Sequence, residues 1–355
     1  MAETTLPLGR THHVDLGVIT RLALLPAVLI LAMLLALFFG TVTLSPTETL
    51  QILLHRVGLY TGRVTWPATD EAIIWSIRLP RVLAAALVGA ALGVAGTLFQ
   101  AVLRNPLADP YIIGTSAGAQ LGVSIMLLVP IDVGVFGFGP VQVAAFCGAT
   151  VTVLFVYGLA RTRGRTPVVT LLLAGFVVSS FLISLSSFLI SVSNHMTQIM
   201  NWTMGSVDVS EFSQLGLTGP LVIGAALLAF ALAHQMDVVL LGEAQAAHLG
   251  IRVERLKIAG IVLGALLTAL AVSLAGVVPF VGLIVPHTAR LLYGPAHRIL
   301  VPTAALGGAL FVVLVDLIAR TVIAPTEIPL GVMTAVVGSP FFLHLLRRSR
   351  RDYAV

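Results

Sequence analysis

The stretch Arg78–Gly118 reads RLPRVLAAALVGAALGVAGTLFQAVLRNPLADPYIIGTSAG. Two arginines flank a leucine and a proline. Twenty-two residues without a charge follow, Val82 to Leu103. The run ends at Arg104, Asn105 and Pro106, and apolar sequence resumes at Ile112. A run of that length crosses a bilayer as a helix. Its two polar margins are where it meets something other than lipid.

Working outward, the same pattern recurs along the chain. Of 355 residues, 58% are hydrophobic and only 10% charged, against about a quarter charged in soluble domains. Successive long uncharged runs therefore predict an all-α polytopic membrane protein with about ten transmembrane helices, near 22–43, 80–103, 112–130, 140–160, 167–190, 213–234, 258–275, 277–293, 299–320 and 329–346. The division is a polar N-terminal tail (1–20), a transmembrane domain (21–346) and a basic C-terminal tail (347–355). The first run is too long for a signal peptide and reads as a retained helix. His12 and His13 lie in the N-terminal tail, where a metal site is the alternative to a plain polar segment. Between the first two spans, Ser45 and Glu48 have capping-box spacing and open a short amphipathic helix expected on the outer face.

Nineteen of the twenty basic residues are arginines, and most stand in short loops. With both termini cytoplasmic, Arg104, Arg161, Arg163, Arg165, Arg252, Arg255, Lys257, Arg298 and the C-terminal cluster all fall inside, as the positive-inside rule requires. Arg56, Arg63, Arg78, Arg81 and Arg320 fall outside and need another reason. The charge is thus a membrane signal, not a nucleic-acid one.

Several chemistries are excluded. The chain has one lysine and no phosphate-binding loop, so it is not itself a P-loop ATPase. Neither a metal-ligand spacing nor a catalytic triad or carboxylate pair stands at the head of a span, which argues against an enzyme. The single cysteine, Cys147, reads as a small buried side chain. Asp316 is the one clear mid-span carboxylate, and Arg320 one turn later is its expected partner. Ser180, Ser184, Ser187 and Ser191 share a helix face, and either line a pathway or make a close helix contact. Met196, Met200 and Met204 read as the apolar face of a short helix. Gly89/Gly93 and Gly260/Gly264 have the spacing of close helix contacts. Within 237–257, a short helix near 243–249 is closed by Gly250. It is too short to span, and it either docks into a partner's groove or packs on the membrane face.

The chain resembles the permease subunit of the ABC importers for iron-siderophores, haem and vitamin B12, the FecCD type with the type II importer permease fold. The resemblance runs from about Leu22 to Leu346. It rests on Arg78-Leu-Pro-Arg81, Asn105-Pro-Leu-Ala-Asp-Pro110 with Gly114-Thr-Ser-Ala-Gly118, Leu241-Gly-Glu243 with Leu249-Gly250, Gly282-Leu-Ile-Val-Pro-His287, His297-Arg298, and Glu327-Ile-Pro-Leu-Gly331 with Gly338-Ser-Pro-Phe-Phe342. It implies a homodimer with the path on its two-fold axis, two separate ATPase subunits that carry ATP and Mg, and an extracytoplasmic solute-binding protein. This chain then binds no cofactor or metal of its own and sits in the inner (cytoplasmic) membrane.

Residue by residue, the resemblance makes Arg78, Arg81 and Arg320 the outer positions that receive carboxylates of the binding protein. It makes Asn105 and Leu107 the inner gate. Where the family has a small polar pair before the fifth helix, this chain has Val168 and Val169, which implies apolar closure. Leu241, Gly242, Glu243, Ala246, Ala247, Leu249 and Gly250 match the coupling helix that contacts the ATPase. His287 is expected to be a satisfied polar group in a broken helix, and Glu327 to cap the last helix. The cargo implied is a metal chelate, first a ferric siderophore and otherwise vitamin B12 or haem. The rival is an autonomous carrier or channel.

Overall fold

The computed structural model describes residues 16–129, 134–162, 164–209 and 211–352. The chain begins with α1 (Leu16–Phe38) and a short amphipathic α2 (Pro46–Arg56). Then α3 (Ala68–Ala72) runs through one π-helical turn, Ile73–Arg78, into α4 (Leu79–Val102). A 3₁₀ turn, Pro110–Ile113, precedes α5 (Thr115–Leu128), α6 (Pro140–Ala160) and α7 (Val168–Val192). They are followed by α8 (Met196–Thr203), α9 (Phe212–Leu240), α10 (Glu243–His248), α11 (Val253–Ala275), α12 (Val281–Tyr293), α13 (His297–Thr321) and α14 (Leu330–Asp352).

All ten expected spans are present as helices. The segments Ala68–Val102, Pro140–Ala160, Val168–Val192, Phe212–Leu240, Val253–Ala275 and His297–Thr321 are each long and apolar enough to cross a membrane. The boundaries shift where local chemistry overrides hydropathy. α1 starts at Leu16, inside the expected tail, and α14 runs on to Asp352 through the basic cluster expected as a separate tail. His12 and His13 lie outside the described residues.

The eighth span departs most from expectation. Its helix begins at Val281 and not at 277, because Gly276 (φ +64) and Phe280 (φ +69) take left-handed conformations on either side of Pro279. Irregular backbone inside a membrane protein needs internal partners. One is supplied by Tyr111, whose hydroxyl accepts from the Val278 amide at 3.2 Å.

The core is organised around α4, which packs against α13, α11, α12 and α9. Small residues set these approaches. A Cβ on Gly89 would stand 2.1 Å from the Gly308 carbonyl oxygen, and one on Gly93 2.2 Å from that of Ala304. The Gly260/Gly264 pair on α11 likewise meets Val102 and the Phe99 ring of α4. The first pair is thus a backbone-approach site and the second a seat for side chains of α4, both places where dispersion replaces the hydrophobic drive that lipid removes.

Residues 44–77 fold as a small unit with its own core of Ile52, Trp66 and Ile74. Arg56 pairs with Glu71 at 2.6 Å and lies over the Trp75 ring, so this outside arginine has a local reason. The capping box does not form. The Ser45 hydroxyl bonds Thr47 Oγ1 at 2.7 Å, and Pro46 opens α2 instead. Cys147 is exposed on α6, contrary to the buried position expected. A helix apolar all round carries no periodicity to mark its inner face.

Candidate functional site

The N-terminal end of α4 carries the two arginines around Pro80, and they do different things. Arg78 is buried, with 4% of its surface exposed. Its Nη1 donates to the carbonyls of Leu37 (2.7 Å) and Phe38 (3.2 Å), and its Nη2 to that of Val42. Arg320, also buried, donates to Ala36 O. The amide of Phe39 takes Leu35 O. The four carbonyls that a helix end leaves unpaired, here 35 to 38 of α1, are therefore all satisfied, three of them by guanidinium groups. Cations at a helix C-terminus also meet the favourable end of its dipole. Arg78 and Arg320 are accordingly turned inward as caps of α1, and neither head group is presented at the surface to receive a carboxylate.

Arg81 is the partly exposed member of the three. Its Nη2 lies 2.9 Å from Asp316 Oδ1 and its Nη1 2.8 Å from Glu327 Oε2. Asp316 does approach Arg320 as expected, at 3.3 Å, but its hydrogen-bonded partner is Arg81. Glu327 spends its carboxylate on Arg81 rather than on capping α14. These three charges line a cavity of about 300 Å³ with Asn201, Ser206 and Ile328.

At its C-terminal end, α4 closes in a turn. The Asn105 side chain accepts from the Leu107 amide at 3.0 Å, and Asn105 O accepts from Ala108 N. Asp109 then accepts from the Tyr111 amide at 2.8 Å and starts the 3₁₀ turn. Leu103 and Ala108 belong to a buried cluster with Phe99, Ile113, Leu171 and Ile261, and Val168 packs against that cluster. The two segments expected to form the gate thus share one apolar plug, while Val169 is exposed.

The short helix α10 stands beside this turn. It ends as expected on Gly250 (φ +83), with Gly250 N bonded to Ala247 O and Ile251 N to Ala246 O, a Schellman motif. Leu241, Ala247, Leu249 and Gly250 are exposed, while Ala246 is fully buried. Ala246 therefore anchors the helix, and the exposed apolar side chains are Leu241, Ala247 and Leu249. Gly242 stands at φ +130 where the chain leaves α9. Glu243 lies 3.1 Å from Arg104 Nη2 and 2.8 Å from Lys257 Nζ.

Residues that the hydropathy pattern passed over complete the inner side. His297 Nδ1 lies 2.6 Å from Asp237 Oδ1, joining α13 to α9. Thr166 donates to Glu254 at 2.6 Å, joining the α6–α7 loop to α11. The signal for such pairs was only that charges are rare in this chain. His287 differs from the satisfied polar group expected: both ring nitrogens are buried without a partner among the described residues.

On α7, Ser180, Ser184 and Ser187 donate to carbonyls four residues back, and Ser191 to that of Phe188. All four are exposed among the described residues. The methionines of α8 are on its open side: Met196 and Met200 are exposed, and Ile199 anchors the helix.

A bundle of long apolar helices packed around α4, with a short exposed helix beside the turn that ends α4, is the framework of a multi-pass membrane protein. The chain belongs to the FecCD transport family, whose profile matches residues 28–348. It is 40% identical to the cobalamin import system permease protein BtuC of Halobacterium salinarum over 309 residues, covering 82% of each chain. It is 36% identical to the hemin transport system permease protein HmuU of Yersinia pestis, covering 82% of this chain and 89% of that one. A solved structure described as an inward-facing conformation of a metal-chelate type ABC transporter superposes with a TM-score of 0.79 at 28% identity, over 93% of this chain and 99% of that one.

Proposed function

We propose that this chain is the membrane-spanning subunit of an ATP-driven importer for a metal held in an organic chelate. It works as a homodimer with two separate ATPase subunits, which hold ATP and Mg, and receives cargo from an extracytoplasmic solute-binding protein. It lies in the cytoplasmic membrane with both termini inside. The observation that carries this reading is α10: a six-residue helix, too short to span, that leaves Ala247, with the flanking Leu241 and Leu249, outward while Ala246 and Glu243 hold it to the bundle. Apolar side chains at a cytoplasmic surface have a purpose if they fill a groove on another subunit.

In this reading ATP binding moves α10, and the motion reaches the turn at Asn105 and Leu107. Parting of the apolar plug beneath Val168 and Val169 opens the inner exit. The serine face of α7 and the outer side of α8 line the passage, offering small polar groups whose hydrogen bonds are already spent, so cargo is not held tightly. On the outer face, Arg81 with Asp316 and Glu327 is the docking element, while Arg78 and Arg320 fix the end of α1 beneath it. The cargo in this reading is a shielded metal in an organic shell, first a ferric siderophore and otherwise vitamin B12 or haem; relatives are named for iron-hydroxamate, cobalamin and hemin import.

The test is reconstitution in proteoliposomes with and without the ATPase subunits and the binding protein. Uptake that needs all three components and ATP supports the reading. Uptake by this chain alone would make it an autonomous carrier. The chelate retained by the cognate binding protein then identifies the cargo.

A further inference from the structure

α4 and α10 end in the same backbone motif with different residues at its critical position. At the end of α4, Asn105 N donates to Gln100 O at 3.1 Å and Arg104 N to Ala101 O at 3.3 Å. This is the same pair of bonds that closes α10 at Gly250. The left-handed position, which glycine fills in α10, is held here by Arg104 at φ +48. A side chain there costs about 1–2 kcal/mol. Strain of this kind persists where the side chain is needed.

The side chain of Arg104 reaches Glu243, the first residue of α10. One carboxylate oxygen, Oε1, lies 3.1 Å from Arg104 Nη2 and 2.8 Å from Lys257 Nζ. Lys257 is the chain's only lysine, is nearly buried, and belongs to α11. Glu243 therefore joins three elements: the turn after α4, the contact helix and α11. The approach of Arg104 and Lys257 to one oxygen needs the negative charge between them, since two cations that close repel.

We propose that Glu243 is a positioning residue that clamps the contact helix to the inner gate through Arg104 and to α11 through Lys257, so that movement of α10 is delivered to residues 104–107. Arg104 holds its strained position for this purpose. The inference rests on the reading of α10 as the ATPase contact.

The test uses the complete importer, with ATPase subunits and binding protein, in proteoliposomes. ATP hydrolysis, uptake and retention of the ATPase subunits are measured in parallel. Arg104→Gly relieves the strain and keeps the turn, so thermal stability is expected to be equal or higher. Uptake per ATP is expected to fall about tenfold, within the range of ordinary coupling energies, with the ATPase subunits still bound. Glu243→Gln should behave alike, and Arg104→Lys should recover at least half of the loss. Wild-type uptake per ATP in both Arg104→Gly and Glu243→Gln would overturn the clamp, as would loss of ATPase binding in Arg104→Gly. Leu249→Glu separates the two readings. If it leaves ATPase binding intact, the contact reading of α10 fails; if it abolishes binding, that reading stands and the clamp is judged on the Arg104 and Glu243 variants alone.

Discussion

α4 and α7 are both long apolar helices, yet they occupy opposite situations. The helix that contains α4 has a mean hydropathy of 2.2 in its most apolar window, and 78% of that window is buried. For α7 the values are 2.5 and 17%. The more apolar helix is the more exposed one, because in lipid hydropathy reports depth in the membrane and not distance from the protein's centre. What puts α4 at the centre is its small residues. Gly89, Gly93 and Gly96 let carbonyls of α13 and α12 come to backbone contact, whereas α7 presents Phe176, Val177, Phe181 and Phe188 outward. A helix with such a face and a serine stripe beside it is covered by lipid, by a second copy or by the passage.

The largest effect that would break this contrast is at Gly96. A Cβ there would sit 1.8 Å from the Gly282 carbonyl oxygen, backbone that cannot rotate away. Gly96→Leu is expected to cost about 3 kcal/mol or more, seen as loss of a monodisperse peak and of a thermal transition in detergent. Gly158→Leu on α6, where a Cβ meets open space, should fold normally. If both fold equally well, close packing is not what centres α4.

Next comes Arg78→Ala, which leaves the carbonyls at the end of α1 without their donor. We expect a loss of about 3 kcal/mol and faster proteolysis near residues 39–42. Arg81→Ala should cost less stability but lower binding-protein affinity. An Arg78→Ala variant with wild-type melting but weakened docking would return that arginine to the surface role its sequence context suggests.

Phe181→Ala should change the stability of the chain by no more than about 0.5 kcal/mol, because 65% of that side chain is exposed. A loss above about 2 kcal/mol would mean that the structure misses a covering element. The smallest effect is expected at Ser184→Ala: a gain of a few tenths of a kcal/mol, since alanine is the better helix former and a hydroxyl bonded to its own helix adds little. Impaired uptake with unchanged melting would show that the hydroxyl serves the passage.

Much of this could be read along the chain. Runs without charge located the ten helices, Gly250 marked the end of α10, and the GxxxG pairs foretold the approaches of α4. The motif strings led to the family. The unwound start of α12 is half legible: Pro279 breaks a helix, but nothing along the chain says that Tyr111 pairs the freed amide. The side of the chain on which Arg78, Arg320 and Cys147 lie was not legible. Along an apolar helix every position looks alike, so neither a face nor a partner can be inferred from spacing. Arg78 and Arg320 stand far from residues 36–38 in sequence, and only the folded bundle brings the carbonyl ends of α1 to them. The clamp at Glu243 was hidden for the same reason, its three members coming from separate elements.

By itself, then, the sequence determined the solvent and the units: a membrane protein of some ten helices with a short helix, closed by Gly250, between two of them. Those follow from local properties, the length of apolar runs and the stop signals between them. Tertiary structure alone decided which charges are spent inside and which face outward. A buried charge or carbonyl must find its partner in space, and along a chain this apolar almost every such partner is distant in sequence.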